Sequence, residues 1–338
     1  MQIYEDFKKQ VTSTLNSLCE EFFSAGDQEL RDMYYYAVSS GRKYRPSLIL
    51  TGKLMGDSSF NALTIRHAVV VELIHKYSLI LDDSVDNDPL RRGVPTFYQK
   101  FGRNNAQAMS AYLMSLLFRE YGKIRKDYRD DQRLDSISSL YEEILSDMSV
   151  GFISDLNSVS RDIHGIRKIS DMQTSTLLRN SLLIGFLTSD YYQSGDYSFL
   201  YKTLYELGNY MGTIFQAYND IEIFCGKKFQ SANKGHFFPD FVDNRKNIIL
   251  AKVPPKIINA RDTNGLVEYI NNNHLFEDVF TEIFDILKTI KLKISYLPPN
   301  SIGTQFLVNF VKEKDAVIKK LSKADIFEYE DTRMISAM

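Results

Sequence analysis

Apolar side chains recur along this chain at three- and four-residue intervals. Val69, Val70, Leu73, Ile74, Tyr77 and Leu81 fall on one stripe of a helix. The same spacing returns at Leu177, Leu178, Leu182 and Ile184, and again at Leu204, Leu207, Met211 and Phe215. Between Pro95 and Pro239 there is no proline, and since proline breaks helix interiors, that interval favours long helices. The alternation expected of strands is scarce, and neither a Gly/Ser linker nor an internal repeat interrupts the pattern. From Asn300 the pattern continues through Phe306, Leu307, Phe310, Val311 and Val317 and then turns polar, which predicts packing helices followed by a mobile tail over about 325–338. With 338 residues of which 44% are hydrophobic, the chain can bury a large core. One all-α domain spanning residues 1–338 is the expectation.

The net charge is −2, and the basic residues are interleaved with acids, so nucleic acid is not an expected partner. Cys19 and Cys225 have no CxxC spacing, which indicates neither a zinc site nor a disulfide framework and suits free thiols in a reducing compartment. The N-terminus lacks a basic segment followed by an apolar run, and no apolar stretch approaches the roughly 18 residues a membrane span needs. No transmembrane segment is expected, and the predicted location is cytoplasmic.

Candidate chemistry is concentrated between Leu81 and Gly93, where Asp82, Asp83, Asp86 and Asp88 are followed by Arg91 and Arg92. Asp82 and Asp86, one turn apart, project from one helix face. Carboxylates this close repel one another unless a cation lies between them. Mg²⁺ suits the place, because it takes one or two carboxylates and completes its shell with water and phosphate oxygens. Arg91 and Arg92 supply forks that match phosphate geometry. The stretch therefore reads as a diphosphate site using metal and arginine together. A solvated helix end is the usual fate of a charge run, but here the acids adjoin an apolar helix and the arginines follow at once.

Asp82-Asp83-x-x-Asp86 with Arg91-Arg92-Gly93 resembles the first aspartate-rich motif of the trans-isoprenyl diphosphate synthases, the farnesyl and geranylgeranyl diphosphate synthase family. Gly41-Arg42-Lys43-Tyr44-Arg45-Pro46 resembles the family's upstream basic segment with two basic residues exchanged, and Glu72-Leu-Ile-His75 resembles the approach to the aspartates. Gly212-Thr-Ile-Phe215-Gln216-Ala-Tyr-Asn219-Asp220 resembles the segment opening the second aspartate-rich motif. The similarity runs from about residue 35 to about residue 250. It implies a helical bundle around a central prenyl-binding cavity and a homodimer. It also implies coupling of an allylic prenyl diphosphate to isopentenyl diphosphate with two or three Mg²⁺ ions. On this resemblance Asp82, Asp83 and Asp86 hold magnesium on the allylic diphosphate, and Arg91 contacts the same group. Lys43, Arg45, His75 and Arg92 match positions that bind isopentenyl diphosphate, with Arg42 as a companion. Tyr77, five residues before Asp82, fits an aromatic floor that limits the product to about ten to fifteen carbons, with twenty as an outer bound.

The second half departs from the family pattern. Its two adjacent aspartates and a third three residues later appear as Asn219-Asp220-Ile221-Glu222-Ile223, and its Lys-Thr pair appears as Gln173-Thr174. Thr174, Gln216 and Asp220 remain as substrate-binding candidates, Asp220 also as a metal contact. Lys246 or Arg245 could supply a cation to the diphosphate, with Lys227 and Lys228 as alternatives. Gly151 and Asp155 stand where the family has a Gly-Gln…Asp segment. An intact first motif beside an altered second one leaves three readings: an elongating prenyltransferase, a synthase-derived terpene cyclase or irregular coupling enzyme, and a non-catalytic regulatory subunit.

Overall fold

The computed structural model describes residues 2–21, 27–157, 162–193, 197–224, 238–242 and 245–323. In chain order the structure begins with α1 (Gln2–Glu20), α2 (Gln28–Ser39), α3 (Tyr44–Lys53), α4 (Ala62–Asp86) and, after a hairpin of β1 (Leu90–Arg91) and β2 (Val94–Pro95), α5 (Phe97–Phe101). They are followed by α6 (Arg103–Asp127), α7 (Arg133–Asn157), α8 (Ile163–Ser170), a π-helical turn at Asp171–Ser175, α9 (Thr176–Leu187) and α10 (Ser198–Glu222). The rest is α11 (Pro239–Val242), α12 (Pro255–Ala260), α13 (Thr263–Asn272), α14 (Leu275–Ile294) and α15 (Ile302–Leu321). The fold is all-α. The long helices α6, α7 and α10 fall in the proline-free interval, each with 25 residues.

At the centre α3 packs against α9, and α4 against α6. Every residue of α9 is buried, as is α3 from Pro46 to Lys53, so both are core helices without a solvent face. Glycine permits their crossing: a Cβ on Gly185 would collide with the Ile49 backbone, and one on Gly52 with that of Leu182 and Phe186. The stripe on α4 is inward as its spacing predicts, with Val69, Val70, Leu73 and Ile74 buried and Tyr77 and Leu81 half-buried. Asn61 caps this helix by accepting from Thr64 N, in a reciprocal capping box. It ends at Asn87, whose φ of 58° lets the chain turn away toward the hairpin. In α15, Leu307, Phe310 and Val311 are buried. Cys225, Lys227, Lys228 and the tail expected over 325–338 lie outside the described residues.

Candidate active site

The end of α4 and the hairpin after it place acids and guanidiniums in contact. Arg92 and Gly93 both have positive φ, 55° and 77°, so a tight two-residue turn reverses the chain, and Arg91 pairs with Val94 across it. Arg91 Nε donates to both oxygens of Asp83 at 2.7 and 3.0 Å, while its Nη2 reaches Asp82 at 3.2 Å. Asp83 is buried, with its side chain 7% exposed, whereas Asp82 and Asp86 are 41% and 28% exposed. Burial raises the Asp83 pKa against the pull of Arg91. Arg245 approaches from the opposite side, with Nη2 donating to Asp88 at 2.6 Å and to the Asp86 carbonyl at 2.9 Å, and Nη1 lying 3.3 Å from the Asp86 carboxylate.

Two turns earlier on α4, a second set of groups grips the segment entering α3. Arg45 Nη1 donates to His75 Nε2 at 2.9 Å. An arginine only donates, so Nε2 is the unprotonated nitrogen of a neutral imidazole. Burial holds the His75 pKa well below its usual range, with Arg45, Lys76, Arg91 and Arg92 adding to the fall. Burial likewise lowers Arg45 to about 10, opposed by Glu72 and Tyr44 and assisted by Arg92 and Arg91, which leaves it charged at neutral pH. Arg42 and Arg92 are exposed and close enough for Arg42 to lower the pKa of Arg92, after burial. Lys314 of α15 completes this rim. Its ammonium lies 4.8 Å from the centre of the Phe215 ring, and burial lowers its pKa, with Arg42 among the contributors.

The second half of the site hangs on α10. Thr174, in the π-helical turn, donates to Gln216 Oε1 at 3.4 Å, and Gln216 Nε2 donates to Asp220 Oδ1 at 2.8 Å. The other Asp220 oxygen accepts from Ile248 N at 2.9 Å. Asp220 is 3% exposed, and burial, then Asp240, push its pKa up to about 8. Asn219 is exposed and Ile223 buried. Lys246 reaches Asp155 of α7 at 2.8 Å.

The polyprenyl synthetase family model matches residues 27–280. The chain belongs to the polyprenyl synthetase family. It is 27% identical over 230 residues to the hexaprenyl pyrophosphate synthase of Saccharolobus solfataricus, spanning 67% of this chain and 74% of that protein. With the farnesyl diphosphate synthase of Escherichia coli it shares 34% identity over 164 residues, 46% of this chain and 54% of that one. The fold matches the crystal structure of the heptaprenyl diphosphate synthase of Staphylococcus aureus with a TM-score of 0.75 at 19% identity, covering 93% of this chain and 98% of that chain.

In this synthetase, Asp82 and Asp86 suit magnesium, since they are solvent-reachable carboxylates one turn apart and Mg²⁺ asks for only one or two. Among the described residues no three carboxylates, histidines or cysteines converge on a metal position. Three of the expected site residues meet protein partners here. Asp83, expected as a ligand, accepts from Arg91 with both oxygens. Asp220, expected as a metal contact, has its oxygens taken by Gln216 and Ile248 N. Lys43, expected to bind the second diphosphate, is 5% exposed, with Nζ on the carbonyls of Val38 and Ser40 and on Glu72 at 3.1 Å. The exchanged pair therefore presents Arg42 outward and Lys43 inward. Tyr77 packs half-buried against the core. Lys76 and Lys314 were not anticipated. The cue for Lys76 was a lone lysine within an apolar helix, one turn after Glu72, whereas nothing local marks Lys314. A hollow of about 630 Å³ at the α6–α7 turn, lined by Asp127 to Arg133 and Tyr192, shares no residue with this site, and its mixed charges offer no field of one sign.

Proposed function

We propose that this polyprenyl synthetase is a magnesium-dependent trans-prenyltransferase that ionises an allylic prenyl diphosphate and couples it to isopentenyl diphosphate, giving a short-chain product of about ten to fifteen carbons. The observation that carries the reading is that α4 presents two charge arrangements along its length. Asp82, Asp86 and Arg91 lie at its end, and His75 lies two turns earlier with Arg45. Such a helix supports two diphosphates side by side.

Asp82 and Asp86 would hold magnesium, whose chemistry there is to neutralise the departing diphosphate. Arg91 has a fork suited to carboxylate and phosphate alike, and Asp83 keeps that fork aimed at the leaving group. Arg245 meets Asp86 and the adjacent Lys246 meets Asp155, so both are candidate cations for the allylic diphosphate. Loss of diphosphate leaves an allylic cation, which the double bond of isopentenyl diphosphate attacks, and loss of a proton restores the alkene. Arg42, Arg45 and Arg92 hold the second diphosphate, and neutral His75 orients Arg45. The Tyr44, Phe215 and Phe310 rings, with centroids 5.0 to 5.9 Å apart, cover the flank of that pocket from water. A homodimer in the cytoplasm is proposed on the likeness to the family alone.

A second reading, ionisation without coupling, is favoured by one observation: Asn219 is neutral and Ile223 is buried where the family carries acids. Dimethylallyl, geranyl and farnesyl diphosphate incubated with Mg²⁺, each with and without isopentenyl diphosphate, separate the two. Longer diphosphates formed only from paired substrates are expected. Hydrocarbons or alcohols from the allylic substrate alone would favour the second reading, and no product in any mixture would favour a regulatory subunit.

A further inference from the structure

Lys76 carries an ammonium where the bundle gives it almost no solvent. It is 3% exposed, one turn after Glu72 and one residue after His75. Its Nζ donates to the Ser40 carbonyl at 2.5 Å and lies 3.2 Å from Ser40 Oγ, with Glu72 Oε1 at 3.8 Å. Lys43 Nζ reaches the same carbonyl and the same glutamate oxygen, each at 3.1 Å. Two ammoniums share one carboxylate, so one net positive charge stays buried under the Ser40–Lys43 turn.

That turn needs holding. Gly41 has φ 101° and Lys43 φ 53°, the latter in a region where a non-glycine residue is strained. It carries Arg42 and opens α3, whose fixed Arg45 bonds to His75. Helix α4 thus fastens this segment at three points: Lys76 on Ser40, Glu72 on Lys43 and His75 on Arg45.

We infer that Lys76 is a positioning residue for the second diphosphate, fixing the Ser40–Lys43 turn so that Arg42 and Arg45 face that group and placing one buried positive charge behind them. The inference rests on the reading that a second diphosphate binds there. The charged groups facing Lys76 are Glu72 on α4, Lys43 at the start of α3, and Arg91 and Arg92 on the hairpin. Burial pulls its pKa down to about 8, opposed by Glu72 and assisted by Lys43, Arg92 and Arg91. The supporting charge is therefore present at neutral pH and is lost as pH rises through about 8.

The test is calorimetric titration of isopentenyl diphosphate into the wild type, Lys76→Met, Lys76→Arg and the control Lys53→Met. Lys53 is also buried, but it pairs with Asp57 and the Thr188 carbonyl from the far end of α3. Lys76→Met should weaken binding about ten-fold or more, with Lys76→Arg restoring most of it and the KM for the allylic substrate moving less than about two-fold. Wild-type affinity should decline through pH 8, and Lys76→Met should lose that dependence. Unchanged binding in Lys76→Met overturns the inference, as does equal weakening in Lys53→Met, which would mark a general loss of packing. A wild type that binds no isopentenyl diphosphate removes the underlying reading, a distinct result that takes the inference with it. Should Lys76→Met fail to fold, the wild-type profile decides, and an affinity flat between about pH 7 and pH 9 overturns the assignment.

Discussion

Asp82 and Asp83 are adjacent in sequence, yet the structure gives them different surroundings, so replacing each by asparagine should give opposite results. Asp83 is 7% exposed and takes two hydrogen bonds from Arg91, a partner that is itself 32% exposed. Breaking a buried pair costs about 3–5 kcal/mol, and the partly solvated arginine brings the expected loss for Asp83→Asn to about 2–3 kcal/mol. Unfolding entropy near 2.1 cal/mol/K per residue over 338 residues is about 0.7 kcal/mol/K, so the melting temperature should drop about 3–4 °C. Asp82 is 41% exposed and meets Arg91 only at 3.2 Å, so Asp82→Asn should change stability by less than about 1 kcal/mol. Its cost should fall on turnover, about 10²–10³-fold in kcat, as for loss of a group that stabilises developing charge. Thermal melts without metal, paired with Mg²⁺ titrations of initial rate, measure both quantities. The reasoning fails if Asp83→Asn melts like the wild type while needing far more Mg²⁺ than Asp82→Asn, since Asp83 would then be a ligand rather than the support of Arg91.

Gly185→Ala should destabilise the fold by about 3 kcal/mol or more, read by urea unfolding, because the added methyl meets the Ile49 backbone at the α3–α9 crossing. Arg42→Ala should raise the KM for isopentenyl diphosphate about ten- to a hundred-fold with little change in melting, whereas Lys43→Met should chiefly lower stability, since Lys43 is buried on Glu72. His67, fully buried beside Tyr141, has its pKa lowered to about 3, chiefly by burial and then by Arg66. The unfolded chain therefore binds the extra proton between about pH 3 and 6.5, so stability contributed by neutral His67 falls as pH drops through that window, by about 2 kcal/mol at pH 5. Asp220, raised to about 8, works in the opposite sense between about pH 4 and 8, so the difference in pH-dependent stability between the wild type and His67→Gln is the measurement. A difference that stays constant from pH 7 to about 4.5 would refute the assignment.

Periodicity carried α4 and the long helices because their evidence is local: apolar stripes on one side and no proline to break them. The α3–α9 crossing is different in kind. Both helices are buried all round although each carries polar and charged side chains, so no apolar stripe names the neighbour they meet, and Gly52 and Gly185 acquire meaning only when their backbones touch. Orientation was hidden for the same reason at the site. Arg42 and Lys43 are equivalent as adjacent bases until Gly41 and Lys43 take positive φ and Glu72 draws one ammonium inward. Asp220 has a metal ligand's chemistry, but Gln216 comes to it along the helix and Ile248 N from a later loop, and the second could not be read from spacing.

Repulsion among the acids near position 82 required a cation but did not say which one. The structure answers with arginine: Arg91 faces Asp82 and Asp83, and Arg245 faces Asp86 and Asp88. Two guanidiniums against four carboxylates offset half of the charge before any substrate arrives, and the groups that do so are the side chains whose forks also fit phosphate. Arg245 follows the altered second motif in the chain, so that half of the sequence supplies a positive charge to Asp86 and Asp88. The sequence reading of metal and arginine acting together left open which carboxylates each would meet. Their close packing is compatible with a stable resting fold because guanidinium can occupy the role by default, and it leaves Asp82 and Asp86, the two more exposed members, as the carboxylates that a hard ion can reach.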